Sequence, residues 1–166
     1  MDDLNDLFLS GRPPRPHPDG FLSGSLVATT VARPVDSFAR WLSGLYMPWL
    51  GKTFHADEQT GINRLEPSAR SPLKLLWRNY DPKVTTEGAL EAFPFTTRIA
   101  PGVLDPNLDV LKIDYDMKGN PSFVIRQLLD ELVQIEDGVY LGKILYRTRN
   151  TWRAVGFFSL RSGSSS

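Results

Sequence analysis

Apolar and polar residues alternate most regularly in the last third of the chain. Leu108 to Asp116 sets Leu111, Ile113 and Tyr115 opposite Lys112 and Asp114, the period of two expected of a half-buried strand. Further on, Asp137-Gly138 is a two-residue hairpin signal, because both central positions of such a turn favour residues that tolerate positive φ. With that turn, Glu136 is predicted to pair with Val139, Ile135 with Tyr140 and Val133 with Gly142. A three-residue connection at Thr148-Arg149-Asn150 then pairs Tyr146 with Trp152, Ile144 with Ala154 and Gly142 with Gly156. One face of this predicted meander carries Val133, Ile135, Tyr140, Gly142, Ile144, Tyr146, Trp152, Ala154, Gly156, Phe158 and Leu160, and no charge. Gln134, Glu136, Lys143, Leu145, Arg147, Arg153, Val155, Phe157 and Arg161 fall on the other face. An apolar inside and a solvated outside is what a single register of an antiparallel sheet gives.

Upstream, Gly20 to Val31 reads as a strand rich in Leu, Val and Thr. Val35, Phe38, Leu42 and Leu45, with Trp41 beside them, recur at helical spacing after Pro34, and Met47-Pro48 predicts the end of that helix. Trp49 to Asp57 and Ile62 to Glu66 predict two short strands, Pro72 to Tyr80 a short helix, and Glu91 to Ile99 another strand. Asn120-Pro121 predicts a helical turn or two through Leu128. Mostly antiparallel strands with one early amphipathic helix predict a mainly β (α+β) fold, an antiparallel barrel of about seven to nine strands.

Composition narrows the function classes. The 166 residues suit one domain, and 41% hydrophobic with 23% charged residues is globular composition. Residues 1–19, including the Arg12-to-Pro18 proline run, read as a flexible leader, 20–161 as one barrel domain and 162–166 as a flexible tail. Nineteen basic against nineteen acidic residues argue against a nucleic-acid coat, and the lack of cysteine removes thiol chemistry and sulfur-ligated zinc. No signal-peptide pattern and no apolar run of about 18 residues is present, so a cytoplasmic protein without a membrane span is expected.

Trp49-Leu-Gly-Lys-Thr-Phe54 and Glu136-Asp-Gly-Val-Tyr-Leu-Gly-Lys143 resemble the lipocalin-like bacterial barrels named for a GxWxG motif. That family has a first strand, an early helix, a tryptophan followed by Gly-Lys-x-Phe and a late hairpin. Here Gly20-Phe-Leu-Ser-Gly24 stands where the family name puts a tryptophan. The resemblance implies a calycin-type barrel and carries no catalytic residues, metal or cofactor with it.

The candidate site is the uncharged face. Tyr140, Ile144, Tyr146, Trp152 and Phe158 are predicted to form a wall, with Trp41, Tyr46 and Trp49 closing one end. Gly142, Ala154 and Gly156 leave part of that wall without side chains, to be filled by the helix or by a ligand. An apolar cavity with a few polar handles suits a small, mostly apolar molecule, with or without an anionic head group. Two alternatives use other features. Asp114, Asp130 and Glu131 near Tyr115 and Lys112 would supply a general base for a cofactor-independent isomerase or cyclase. The acid-free run after Asp137, with Lys143, Arg147, Arg149, Arg153 and Arg161, would make an interaction module with a basic outer face. His55 and Asp57 share a predicted strand face, but two ligands do not make a metal site. Gly138 to Lys143 has one residue too few for a phosphate loop, no G-x-S-x-G occurs, and Phe157 and Phe158 point apart where an RNA-stacking strand would align them.

Overall fold

The computed structural model describes residues 2–29, 48–149 and 151–163. Among these residues nine strands run β1 (Gly20–Thr29), β2 (Trp49–His55), β3 (Thr60–Leu65), β4 (Lys83–Val84), β5 (Leu90–Pro101), β6 (Asp109–Asp114), β7 (Leu128–Glu136), β8 (Val139–Thr148) and β9 (Thr151–Ser162). Helix α1 spans Asp2–Leu9 and α2 spans Arg70–Leu76. Hydrogen bonding follows the order β3-β2-β1-β9-β8-β7-β6-β5, and β3 also pairs with β5, so eight antiparallel strands close a barrel. Strand β4 lies outside the ring, against β5. Closure removes the exposed edges that an open sheet of this size would present.

The predicted strands form with small changes at their ends. The predicted helix over Val35 to Leu45 lies outside the described residues, as do Trp41 and Tyr46. Asn120-Pro121 opens turns, with 3-10 geometry only at Ile125–Gln127. The first residues, read from sequence as a leader, contain α1. Its Phe8 is buried against Val110, Val133, Leu141 and Phe157 on the outside of the barrel, and Arg12 bridges to Gln134.

The largest difference from the sequence expectation is one of register. The Asp137-Gly138 turn forms and Glu136 pairs with Val139, but a bulge at Ile135 then sets Gln134 opposite Tyr140 and Leu132 opposite Gly142. A bulge adds one residue to one strand, and a shift of one residue exchanges the faces. Val133 and Ile135 therefore pack outside with α1, while Leu128, Asp130 and Leu132 enter the barrel. A carboxylate is thus brought into a face predicted to carry no charge. The last hairpin is likewise tighter than expected: Thr148 pairs with Thr151, Arg149 takes φ 53°, and a second bulge precedes Ile144–Gly156. Trp152 consequently sits opposite Arg147, whose guanidinium lies 5.6 Å from its ring, on the outer surface.

Inside, small residues are matched by rings. Phe158, paired with Gly142, lays its ring over the glycine, and Trp49 and Phe95 do the same over Gly24 and Gly61. The bare part of the predicted wall at Gly142 is therefore filled by Phe158. Gly51, at the bulge in β2, has φ 145°, and a Cβ there would overlap the Leu22 carbonyl. That bulge orients the residue after it.

Candidate functional site

Lys52 follows Gly51 on β2 and points into the barrel, with none of it exposed. Its ammonium group is held by three partners. Nζ donates to Asn63 Oδ1 at 2.9 Å and to the Tyr115 hydroxyl, and it lies 3.1 Å from Asp130 Oδ2. Tyr115 in turn donates to Asp130 Oδ2 at 2.9 Å, and Asn63 Nδ2 donates to the Phe93 carbonyl at 3.1 Å. The rings of Trp49, Phe95, Tyr115 and Phe158 surround Nζ at 5.1 to 5.4 Å. Lys52 and Asn63 are cross-strand neighbours, while Tyr115 and Asp130 are brought to them from strands made much later in the chain. Asn63 is on β3, Tyr115 directly follows β6, and Asp130 is on β7, brought inward by the bulge at Ile135.

Burial dominates the electrostatics of the pair. It pushes the Asp130 carboxyl above the usual carboxylate range, although Lys52 and the Tyr115 hydroxyl pull it back. The same burial holds the Lys52 amine below its ordinary value against the pull of Asp130. The arrangement holds a proton among an amine, a phenol and a carboxyl group, and Asp130 Oδ1 accepts no hydrogen bond from the described residues. Transferring a proton within such a set costs less than it would in water-exposed groups of ordinary pKa.

A small cavity adjoins the cluster, lined by Trp49, Asn63, Leu65, Phe93, Tyr115, Ile125 and Leu128. All lie at the barrel end where β2, β5, β7 and β9 begin, which we call the Trp49 end. The void measures about 20 Å³, room for roughly one water molecule. Asn63 and Tyr115 are its only polar lining residues among those described.

One lining residue, Phe93, and the neighbour of another, Val124, carry unusual backbone. Phe93 has φ 53°, a bulge conformation that turns its ring inward to stack on Tyr80 at 5.1 Å. Val124 has φ 70° and ψ −60°, and the Ile125 N–H donates to the Phe123 carbonyl at 3.0 Å. This is a γ-turn of the disfavoured hand at a β-branched residue, worth about 1–3 kcal/mol of strain. The other described non-glycine residues with positive φ, Gln59 and Arg149, occupy ordinary turns.

A second buried polar group lies on the outer face. Glu131 Oε1 accepts from the Val103 N–H at 2.7 Å and lies 3.8 Å from Lys112 Nζ. Lys143 is paired with Asp105 at 2.5 Å, its Nζ 4.2 Å from the Phe8 ring. Burial raises the Glu131 carboxyl above its ordinary value. A carboxyl that binds its proton more tightly folded than unfolded stabilises the fold at low pH. That contribution is lost as pH rises from the unfolded value of about 4.3 through the folded one. Glu131→Gln should therefore gain stability relative to the native chain as pH rises from about 4.5 to 8. Urea midpoints across that range check it; a difference that does not change with pH would contradict the assignment.

Of the residues singled out from sequence, Trp49 lines the cavity and meets Phe158 edge-on at 5.5 Å. Tyr140, Ile144 and Phe158 are packed in the core, and Tyr146 is half-buried against it. Trp152 lies on the outer face. Of the carboxylates weighed as bases, only Asp130 reaches Tyr115; Asp114 pairs with Arg98 at 3.0 Å outside. Lys52 and Asn63 were not recognised as site residues. Alternation is ambiguous at Lys52, three residues after Trp49 and two before Phe54, and nothing local in the sequence marks Asn63. His55 and Asp57 are exposed.

No protein-family model matches the chain, and no curated protein does. A solved structure of a protein from Thermomonospora curvata is similar, with a TM-score of 0.61. The match covers 98% of this chain and 87% of that one at 14% identity. At that identity the fold alone is shared.

Proposed function

We propose that the barrel binds a small, mostly apolar molecule at its Trp49 end, with one polar group placed against Tyr115 and Asn63. The observation that carries this reading is the apolar, ring-lined void whose described polar groups both meet Lys52, with Tyr115 also bonded to Asp130. A binding site of this kind needs few polar atoms if they converge. Because the void holds about one water, a ligand of several carbons enters by moving the wall. The strained turn at Val124, between exposed Phe123 and cavity-lining Ile125, is the part that gains by moving.

A second reading uses the same cavity, with Asp130 as general base and Tyr115 as the group that holds a ligand oxygen. It is favoured by the raised Asp130 carboxyl next to a phenol that lines the void. Such a site would move a proton on a carbonyl compound without a cofactor.

One probe addresses both. 2-Tetralone, a small apolar ketone, should quench Trp49 fluorescence saturably, and Tyr115→Phe should weaken its binding about tenfold. If proton transfer also occurs, the native chain in deuterium oxide should speed exchange of the α-protons, and Asp130→Asn should not. Saturable binding without exchange leaves the first reading alone. No saturable quench, or equal binding by Tyr115→Phe, rejects both.

A further inference from the structure

We propose that the Trp49 end of the barrel docks on an anionic lipid surface. Two of the described chain segments at that end, 66–89 and 115–127, lie on its rim. Trp77 to Tyr80 of the first face Gly119 to Phe123 of the second across an open groove of about 320 Å³. The net charge of the whole chain is zero, and these segments hold Arg70, Lys74, Arg78, Lys83, Lys118 and Arg126 against Glu66, Asp81, Glu87 and Asp116. Lys74 pairs with Asp81 at 2.9 Å and Arg126 with Asp116 at 2.6 Å. Arg78, Lys83 and Lys118 are exposed and make no ion pair among the described residues.

The same rim exposes large apolar side chains. Leu75 is 86% exposed, Phe123 74%, Val84 55% and Leu76 47%. Water penalises such side chains, and they are normally scattered rather than set among cations on one end of a molecule. Helix α2 cannot turn them inward, because Leu73 already anchors it in the core. Apolar side chains ringed by lysine and arginine match an interface in which hydrocarbon lies beneath anionic head groups. Among the described residues no helix is long and apolar enough to cross a membrane. The surface does not depend on what the cavity holds.

The test is sedimentation of the full chain with vesicles of phosphatidylcholine alone or with about one-third phosphatidylglycerol. Partition onto the anionic vesicles should exceed that onto the neutral ones about tenfold and should fall as salt is raised. Leu75→Ser with Phe123→Ser should weaken it about tenfold. Leu104→Ser, a substitution of an exposed leucine at the opposite end, should leave it unchanged. Equal partition onto both vesicles, or equal loss in the Leu104 variant, overturns the proposal. Salt-sensitive retention on an anionic resin without vesicle binding also overturns it, and transfers the surface to an acidic protein partner.

Discussion

Replacing Lys52 with Met is expected to lower the unfolding free energy at pH 7 by about 3 kcal/mol or more. The pair is fully enclosed, with Nζ 3.1 Å from Asp130 Oδ2 and neither side chain exposed. Removing the amine leaves a carboxylate that has only the Tyr115 hydroxyl to satisfy it. Since burial already favours the protonated form of Asp130, the loss should shrink as pH falls and the orphaned group takes up a proton. Lys52→Met with Asp130→Leu should recover most of the loss, because an apolar pair carries no desolvation cost. Urea denaturation of both variants at pH 7 and pH 5 measures these effects. Additive losses in the double variant would mean that the two groups do not act as a pair. The same comparison bears on function: a double variant that folds but no longer binds 2-tetralone assigns the pair to the site rather than to stability.

Gly142→Ala is expected to cost about 3 kcal/mol, a large effect for one methyl group. The added Cβ would overlap the Phe158 ring, and the ring cannot retreat freely because Trp49 meets it edge-on and Lys52 Nζ lies 5.1 Å from its centre. Phe158→Leu in the same chain should relieve part of the penalty, giving a favourable coupling of about 1 kcal/mol or more. The alanine variant should also shift Trp49 emission, since Trp49 follows the ring. Thermal and urea unfolding with tryptophan fluorescence read both results. If Gly142→Ala behaves as an ordinary surface change, within about 0.5 kcal/mol, the packing of Phe158 over the glycine is refuted.

What the sequence revealed and hid follows from what each signal measures. Alternation over Leu111, Ile113 and Tyr115 reports which face of β6 enters the barrel, but its other face is not solvated as alternation implies, since Val110 and Lys112 are buried there. The Asp137-Gly138 turn was legible because its backbone demand is local. The bulge at Ile135 was not, since an extra residue in one strand leaves no mark on composition, and it inverted β7. That inversion is why Asp130, weighed only as a carboxylate near Tyr115, proved to be inside the barrel. Lys52 was hidden for a different reason. A lysine between apolar residues on a strand usually marks the solvated face, and only the bulge at Gly51, the cross-strand neighbour Asn63 and the arrival of Tyr115 and Asp130 from distant strands make its burial tolerable. Long-range partners cannot be inferred from spacing.

The ring is completed by β9 lying between β1 and β8, so that Leu22 pairs with Ser162. During synthesis the first strand is made long before the strand it needs. Until β9 leaves the ribosome, β1 and β8 both keep an open side, and the lysine–aspartate pair has no dry interior to occupy. Maturation of the polar cluster is thereby tied to arrival of the last strand, and a chain shortened before Phe158 would lack the ring over Gly142 as well as the seam.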